Sequence, residues 1–230
     1  MEFNVENFFE IAQENDFVVV AGPNGAGKSN LIKRLLSKNS HVVYQNPDEI
    51  QMLDNLTPHG AGMIVLNKIK KEYLPQKKSV IYETTISGND NIIREAAKNG
   101  YNIKGIYGWL WSPDQCVERV GKRVKMDKGH NVPIDVIFRH YFHSVVNLST
   151  LLPLCVQWAI YDGGTNETIA WGAGSKEINI RDEAQYKFWE TKRMEIINEH
   201  KSDLRWTPSV LKARMDLVYN DILFQKCYGG

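Results

Sequence analysis

The stretch from Gly22 to Ser29, GPNGAGKS, constrains the fold of this chain more than any other feature, because it matches the pattern G-x-x-x-x-G-K-[ST]. An apolar, β-branched run at residues 17–21 precedes it, and residues 31–36 after it are apolar at helical spacing. The order of strand, glycine loop and helix is the context in which this pattern holds the phosphates of a nucleotide. The sequence therefore predicts a nucleoside triphosphate site at this loop.

Each residue type in the loop has a physical role in holding phosphate. Glycines let the backbone wrap closely so that its N–H groups point at phosphate oxygens, and the following helix adds the positive end of its dipole. We expect Lys28 to reach the β- and γ-phosphates and the Ser29 hydroxyl to ligate Mg²⁺. The predicted nucleotide-binding residues are Gly22, Pro23, Asn24, Gly25, Ala26, Gly27, Lys28, Ser29 and Asn30.

Strand and helix patterns alternate along the rest of the chain. Apolar runs predict further strands at 41–45, 79–85, 101–110 and 155–161, with helical periodicity at 58–75, at 87–98 and from about 112 and 134. This alternation predicts an α/β fold of the P-loop NTPase/kinase three-layer type, with a mostly parallel sheet flanked by helices. We expect residues 1–230 to form a single domain. Its C-terminal extension, from about 165 to 230, is predicted to be mainly helical, after short strands or a hairpin at 168–180.

Charge and cysteine content limit the partners and the compartment. The formal net charge is +1, so no global field attracts the chain to nucleic acid or to an anionic membrane. The three cysteines are few, far apart and odd in number, which favours free thiols in a reducing compartment. The first residues are acidic and amphipathic, unlike a signal peptide. We expect a cytoplasmic protein that has neither nucleic acid nor a membrane as its partner.

Polar side chains follow the predicted strands at the edge where ligands bind in parallel sheets. Asp48 follows the second strand, Glu83 ends the third, and Asp162 ends the last. A kinase needs a carboxylate to orient or deprotonate the attacking hydroxyl, and Asp48 is the candidate base. Glu83 is the alternative base, and it also suits acceptor hydroxyls or Mg²⁺-bound water. The alternative for Asp48 is that it only caps the helix that follows it.

A basic segment supplies the cations that phosphoryl transfer requires. Arg119 and Arg123 are four residues apart and share one helix face, and guanidinium groups grip phosphate through paired hydrogen bonds. A turn at Gly129 gives residues 119–139 the freedom of a lid that closes on ATP, with Arg139 joining from the next helix. The alternative is a solvated charged face, which is the usual fate of such runs.

The ordered set of motifs resembles the zeta toxin family of P-loop kinases, which includes UDP-N-acetylglucosamine kinases. The resemblance covers most of residues 17–162. After the glycine loop it comprises Asn46-Pro47-Asp48, the run YETTISG at 82–88, the arginine blocks around Arg123 and Arg139, and WAIYD at 158–162.

This resemblance implies ATP and Mg²⁺ as cofactors and a hydroxyl group as acceptor, which in family members belongs to a UDP-activated amino sugar. It implies that Asp48 is the catalytic base and that Lys28, Arg119, Arg123 and Arg139 handle phosphate. It also implies an antitoxin, a separate protein, as partner if the chain is a toxin. The acceptor-side residues that it implies are Asn46, Asp48, Glu83, Thr84 and Thr85.

The chain departs from the family pattern at several positions. Asp162 precedes two glycines where Asn and Ser are expected, and Lys128 occupies the place of a second lid glycine. Arg139 is followed by His140 instead of forming an arginine pair. From about residue 165 the chain matches nothing in the family. These departures leave nucleotide handling intact and leave the acceptor open, since fold does not determine function.

Two other functions fit part of the sequence. An ATPase of the ABC or RecF kind shares the glycine loop, Asn30 included, but needs a later signature motif and an apolar strand that ends in Asp-Glu. The run at 86–90 is a poor signature, and no such strand follows it. A nucleotide-binding protein without catalysis is disfavoured by the retained Lys28, Ser29 and Asp48. Among kinases, a sugar, a nucleoside or an antibiotic are the other candidate acceptors.

Overall fold

The computed structural model describes residues 10–54, 56–88, 91–126, 132–174 and 177–201. Its strands are β1 Asp16–Ala21, β2 Val43–Gln45, β3 Val80–Thr84, β4 Asn102–Trp109, β5 Gln157–Asp162, β6 Thr168–Ala173 and β7 Glu177–Ile180. Its helices are α1 Lys28–Lys38, α2 Pro47–Asp54, α3 Pro58–Lys68, α4 Asn91–Lys98, α5 Pro113–Lys125, α6 Ile134–Leu151 and α7 Glu183–Lys201, with a π-helical turn at Ile69–Tyr73 and a 3₁₀ turn at Leu152–Leu154.

The strands form one seven-stranded sheet in the order β2-β3-β1-β4-β5-β6-β7. The first five in this order pair in parallel, whereas β6 and β7 pair antiparallel at the edge. The short connection at 163–167 between β5 and β6 permits only antiparallel pairing, because a parallel crossover needs a dozen or more residues. The prediction of an α/β fold with a mostly parallel sheet is confirmed, and the hairpin expected at 168–180 extends that sheet.

Apolar residues cover both faces of the sheet, which explains why β1 is apolar throughout. Val18 and Val20 face α1 and pack in a cluster with Leu31 and Leu35 of that helix. Phe17 and Val19 belong to the cluster on the other face, together with residues of α4, α5 and α6. The side chains of β1 alternate between two buried faces, which holds this strand in the middle of the sheet. The glycine loop therefore begins where β1 ends, at the carboxyl end of the parallel strands.

A buried ion pair joins the strands at the end of the sheet opposite the glycine loop, where β1 and β4 begin. Lys104 on β4 donates from Nζ to Oδ2 of Asp16 on β1 over 2.7 Å, and both side chains are almost fully buried. Asn102 also donates to Asp16, at 3.3 Å, and Asp16 lies opposite Asn102 in the register of the two strands. This network fixes the relative position of β1 and β4 at the end remote from the glycine loop.

Two predicted features lie outside the described residues: the centre of the lid, at 127–131, and a last helix at 208–226. The helix predicted from residue 112 begins at Pro113, and Ser112 caps it by accepting the N–H of Gln115 over 3.2 Å. In the part of the chain that the structure describes, no helix has both the length and the apolar character needed to cross a membrane.

Candidate active site

The glycine loop joins the end of β1 to the start of α1 in the middle of the parallel sheet. Gly22 has φ of +134°, and a Cβ at this position would lie 2.4 Å from the backbone oxygen of Gly108 on β4, so no side chain fits. Gly27 is the N-cap of α1 with φ of +83°, and no described side chain caps this helix. The N–H of Asn30 in the first turn donates to the oxygen of Gly27, and those of Lys28 and Ser29, without a partner among the described residues, suit an anion as in phosphate-binding loops.

Lys28 is buried against the loop that it follows. Its Nζ donates to the backbone oxygens of Gly22, at 2.9 Å, and Pro23, at 3.0 Å, which holds the ammonium group over the loop. Burial lowers the pKa of Lys28, while the charges of Glu83 and Asp48 act in the opposite direction. The lysine therefore lies between the nucleotide loop and the carboxylates that follow β2 and β3.

Glu83 is the centre of a buried hydrogen-bond cluster beside the loop. It lies on β3, next to β1, and its side chain is buried. Its Oε1 accepts the Ser29 hydroxyl at 2.9 Å, and its Oε2 accepts the hydroxyl of Tyr44 at 2.5 Å and Nδ2 of Asn46 at 3.2 Å. Burial and the charge of Glu83 both raise the pKa of Tyr44, so this hydroxyl remains a donor. The cluster joins Ser29, the predicted metal ligand, to Tyr44 and to Asn46, a predicted acceptor residue.

Asp48 lies in the first turn of α2, close to this cluster. Its backbone N–H donates to Oδ1 of Asn46 over 2.9 Å, so Asn46, rather than Asp48, occupies the capping position. The Asp48 side chain is exposed, and none of the described side chains hydrogen-bonds its carboxylate. Its charge acts on Lys28 and on His140. The carboxylate is therefore accessible at the mouth of the site.

Thr84 ends β3 and Thr85 begins the loop that follows it, and both hydroxyls are engaged within this segment. Oγ1 of Thr84 accepts the N–H of Ile86 at 3.0 Å, and Oγ1 of Thr85 lies 2.8 Å from the hydroxyl of Ser87. Helix α6 supports the same loop, because Asn147 donates from Nδ2 to the oxygen of Ile86 over 2.6 Å. The two threonines thus shape the wall of the site next to Glu83.

The structure places the predicted arginines at different distances from the loop. Arg119 donates from Nε to the backbone oxygen of Gly25 over 2.7 Å. Arg123 is half-buried, its Nε has no hydrogen-bond partner among the described residues, and its charge lowers the pKa of Lys28. Arg139 is exposed on α6, where its charge contributes to lowering the pKa of His140. Arg119 therefore contacts the loop directly, whereas Arg123 acts on Lys28 through its charge and Arg139 acts on His140.

Sequence reasoning missed Tyr44 and His140 as members of this site. Nδ1 of His140 lies 2.9 Å from Oδ1 of Asn24 in the glycine loop. Tyr44 precedes Asn46 by two residues on an edge strand, so the alternation of a strand was the available signal. For His140 the only available signal was its position directly after Arg139, where the sequence analysis noted it as a departure from an arginine pair.

Asp162, the polar residue after the last parallel strand, has a supporting role. Its Oδ2 accepts the indole N–H of Trp111 at 2.7 Å, and its Oδ1 accepts the backbone N–H of Gly164 at 2.6 Å. The loop that it orders lies beside the glycine loop, since a Cβ built on Gly27 would be 3.8 Å from Oδ1 of Asn166. Asp162 thereby shapes one side of the nucleotide site.

The residues present fit a triphosphate and a magnesium ion. Three groups here are donors that suit an anion: Nε of Arg123, which has no hydrogen-bond partner among the described residues, the ammonium of Lys28 and the start of α1, which no described side chain caps. Ser29 and Glu83 supply a hydroxyl and a carboxylate oxygen 2.9 Å apart, and oxygen donors are what Mg²⁺ prefers. The site thus contains cationic donors for phosphate beside oxygen donors for a metal.

Comparisons with solved structures identify the fold of this site. The crystal structure of AvrRxo1-ORF1:-ORF2 with ATP aligns with a TM-score of 0.60 at 12% identity, over 78% of this chain and 64% of that chain. The structure of the same pair with sulphate ions also gives 0.60, at 13% identity over 76% and 63%. This chain therefore shares the α/β fold of those chains. It spans slightly less than two thirds of the length of both of those chains.

A third structure, from the PezAT chromosomal toxin–antitoxin system of Streptococcus pneumoniae, has a TM-score of 0.49 at 13% identity, over 82% of this chain and 89% of that chain. No protein-family model matches the sequence, and no curated protein matches it. The α/β fold that the motifs indicated is borne out by the two structures that align with a TM-score of 0.60.

Proposed function

We propose that this protein is an ATP-dependent kinase of the zeta toxin type, which transfers the γ-phosphoryl group to a hydroxyl of a small molecule. The observation that carries this proposal is the cluster around Glu83. It links Ser29 of the nucleotide loop to Tyr44 and Asn46 at the end of β2. Phosphoryl transfer depends on holding donor and acceptor side by side, and this cluster borders both.

Asp48 is the better candidate for the base, and Glu83 is better suited to orient Ser29. The carboxylate of Glu83 already accepts three hydrogen bonds, so its lone pairs are engaged. The carboxylate of Asp48 is exposed and accepts none from the described side chains. A general base must be within reach of the acceptor hydroxyl, which favours the accessible group.

Cationic side chains complete the transfer site. Lys28 and Arg123 neutralise the phosphoryl oxygens from inside the site, while Arg119 steadies the loop at Gly25 and Arg139 is available at the rim. Ser29, oriented by Glu83, would hold a Mg²⁺ ion, which would supply further neutralisation of phosphate charge. Transfer thus rests on positioning and on charge neutralisation.

The proposed acceptor is a UDP-activated amino sugar such as UDP-N-acetylglucosamine. Support comes from the YETTISG run, which carries Glu83, Thr84 and Thr85 into the wall of the site beside Asn46. The proposed protein partner is a separate antitoxin protein, which the family resemblance supports. The proposed compartment is the cytoplasm. The ATPase of ABC or RecF type is less favoured, because none of the described parallel strands ends in Asp-Glu.

The test is a transfer assay with radiolabelled ATP, Mg²⁺ and a panel of UDP-sugars, sugars, nucleosides and antibiotics. We expect label on one class of acceptor, and UDP-amino sugars should be the best substrates. Lys28→Ala should abolish transfer, whereas Lys38→Ala, at the exposed far end of α1, should not. Phosphate release that is independent of every acceptor would support the ATPase, and ATP binding without either product would refute both enzymatic functions.

A further inference from the structure

His140 joins helix α6 to the glycine loop across a long separation in sequence. Its Nδ1 lies 2.9 Å from Oδ1 of Asn24, the third residue of the loop, and the ring is about half-buried. Lys28 donates to the backbone oxygen of Pro23, directly before Asn24. A lysine in this position reaches the β- and γ-phosphates of a bound nucleotide, which would put the Asn24 side chain next to the transferred phosphoryl group.

The charges around His140 keep its ring neutral. Burial is the largest cause that lowers the pKa of His140, to about 4, and the cations Arg139 and Lys28 lower it further. Asp48 acts in the opposite direction, and His143 on the same helix adds a small lowering effect. These groups belong to α6, to the glycine loop with α1, and to α2. A neutral imidazole has one N–H, and the acceptor Oδ1 of Asn24 selects the tautomer with that N–H at Nδ1.

We propose that His140 is a positioning residue of the kinase site, which holds the Asn24 side chain so that its amide N–H groups face the transferred phosphoryl group. With Oδ1 occupied by the imidazole, the NH₂ group of Asn24 is turned to the other side, where it donates to a phosphate oxygen. This inference rests on the proposed kinase function. It concerns His140, the residue that stands where the zeta toxin family, which the sequence resembles, has the second arginine of a pair.

The ring of His140 should respond differently to ATP and to ADP. The γ-phosphate brings negative charge next to Asn24 and His140, and a nearby opposite charge favours the protonated ring. ADP lacks this phosphate and leaves the ring in nearly its free environment. The imidazole of His140 is thus a probe of the γ-phosphate, whereas a ring that merely packs between α6 and the loop would respond to both nucleotides alike.

The first test follows the histidine rings by NMR in the full chain. His140 resonances are assigned by their loss in His140→Asn, and the rings are titrated with pH alone, with Mg²⁺-ADP and with a non-hydrolysable Mg²⁺-ATP analogue. We expect the pKa of His140 to be higher by about one pH unit or more with the ATP analogue than with ADP. His41 is the internal control, because its Nε2 contacts the backbone oxygen of Ile11 at the opposite edge of the sheet. Equal responses to both nucleotides would overturn the proposal.

The second test uses kinetics on matched variants. His140→Leu should lower kcat roughly three- to tenfold, as expected for one lost hydrogen bond, with a smaller effect on KM for ATP. His140→Asn places an amide N–H near the position of Nδ1 and should recover most of the rate. The Leu variant combined with Asn24→Ala should be no slower than the slower single variant, since both act through one contact. Equal losses in the Leu and Asn variants, or additive losses, would contradict the positioning role.

Failure of this inference is distinguishable from failure of the proposed function. If the wild-type protein phosphorylates no acceptor, the kinase proposal fails, while the NMR comparison of ATP and ADP still tests the contact. If the wild-type protein transfers phosphate and His140→Leu transfers it equally fast, only the role of His140 is wrong. Thermal unfolding of each variant shows whether a lost rate reflects a lost fold.

Discussion

The most informative single substitution is Glu83→Gln, because it separates the two carboxylates of the site. In the protein, the buried Glu83 accepts hydrogen bonds from Ser29, Tyr44 and Asn46. A glutamine keeps one acceptor oxygen and presents an NH₂ group to donors. At least one of the three partners then meets a donor instead of an acceptor, and the other bonds lose the assistance of the negative charge.

The magnitude follows from these three bonds. A hydrogen bond to a charged group contributes about 1.5–3 kcal/mol and a neutral one about 0.5–1.5 kcal/mol, so losing the charge costs about 1 kcal/mol per bond. We therefore expect Glu83→Gln to lower the free energy of unfolding by about 2–4 kcal/mol. It also removes a charge that raises the pKa of Lys28, so that pKa should fall further.

Asp48→Asn should behave in the opposite way. The Asp48 side chain is exposed, so the free energy of unfolding should change by only about 0.5 kcal/mol. Loss of a general base should nevertheless lower kcat for transfer by about 10²–10⁴-fold. Glu83→Gln should combine its loss of stability with a higher Mg²⁺ concentration for half-maximal rate, since Ser29 is no longer oriented.

Urea unfolding and transfer rates over a range of Mg²⁺ concentrations measure these effects. Glu49→Gln is the matched control, because this exposed glutamate follows Asp48 directly and belongs to no hydrogen bond of the Glu83 cluster. If Glu83→Gln is as stable as the wild type and has the same Mg²⁺ dependence, the role argued for the cluster is wrong. An unchanged rate in Asp48→Asn would assign the base to Glu83.

Three further predictions concern the loop, the remote edge of the sheet and pH. Gly22→Ala should abolish ATP binding in calorimetry, because its Cβ would lie 2.4 Å from a backbone oxygen of β4, while Gly62→Ala, with open space on α3, should bind normally. Lys104→Met should lower the free energy of unfolding in urea by about 3–5 kcal/mol, because it leaves the buried charge of Asp16 without its ion-pair partner. The exposed Lys122→Met is the control and should lower it by about 0.5 kcal/mol or less. The pKa of His140, about 4, lies below the unfolded value near 6.5, so its contribution to stability is complete above pH 6.5 and falls by about 3 kcal/mol as the pH drops to 4. His140→Gln should remove that part of the pH dependence of stability. Identical urea unfolding curves at pH 7 and pH 5, for the wild type and for His140→Gln alike, would contradict this prediction.

Much of the fold was predictable because its signals are local. The glycine loop is one continuous segment, and the apolar strand before it and the amphipathic helix after it specify its place at the carboxyl edge of a sheet. The short strands or hairpin expected at 168–180 are present as β6 and β7, whereas the antiparallel pairing of β6 with β5 was not predicted. The positions of Asp48 and Glu83 at strand ends followed from the same rule, although their hydrogen-bond partners did not.

The amino-acid sequence alone predicted a phosphate-binding loop at Gly22–Ser29 within an α/β sheet, because glycine conformation and strand alternation act over a few residues. Only the tertiary structure decided which side chains complete the site. Ser29 meets Glu83 across 54 residues of sequence, and Asn24 meets His140 across 116. Such contacts depend on how β3 pairs beside β1 and how α6 packs against the loop, and no local pattern encodes a distance between elements.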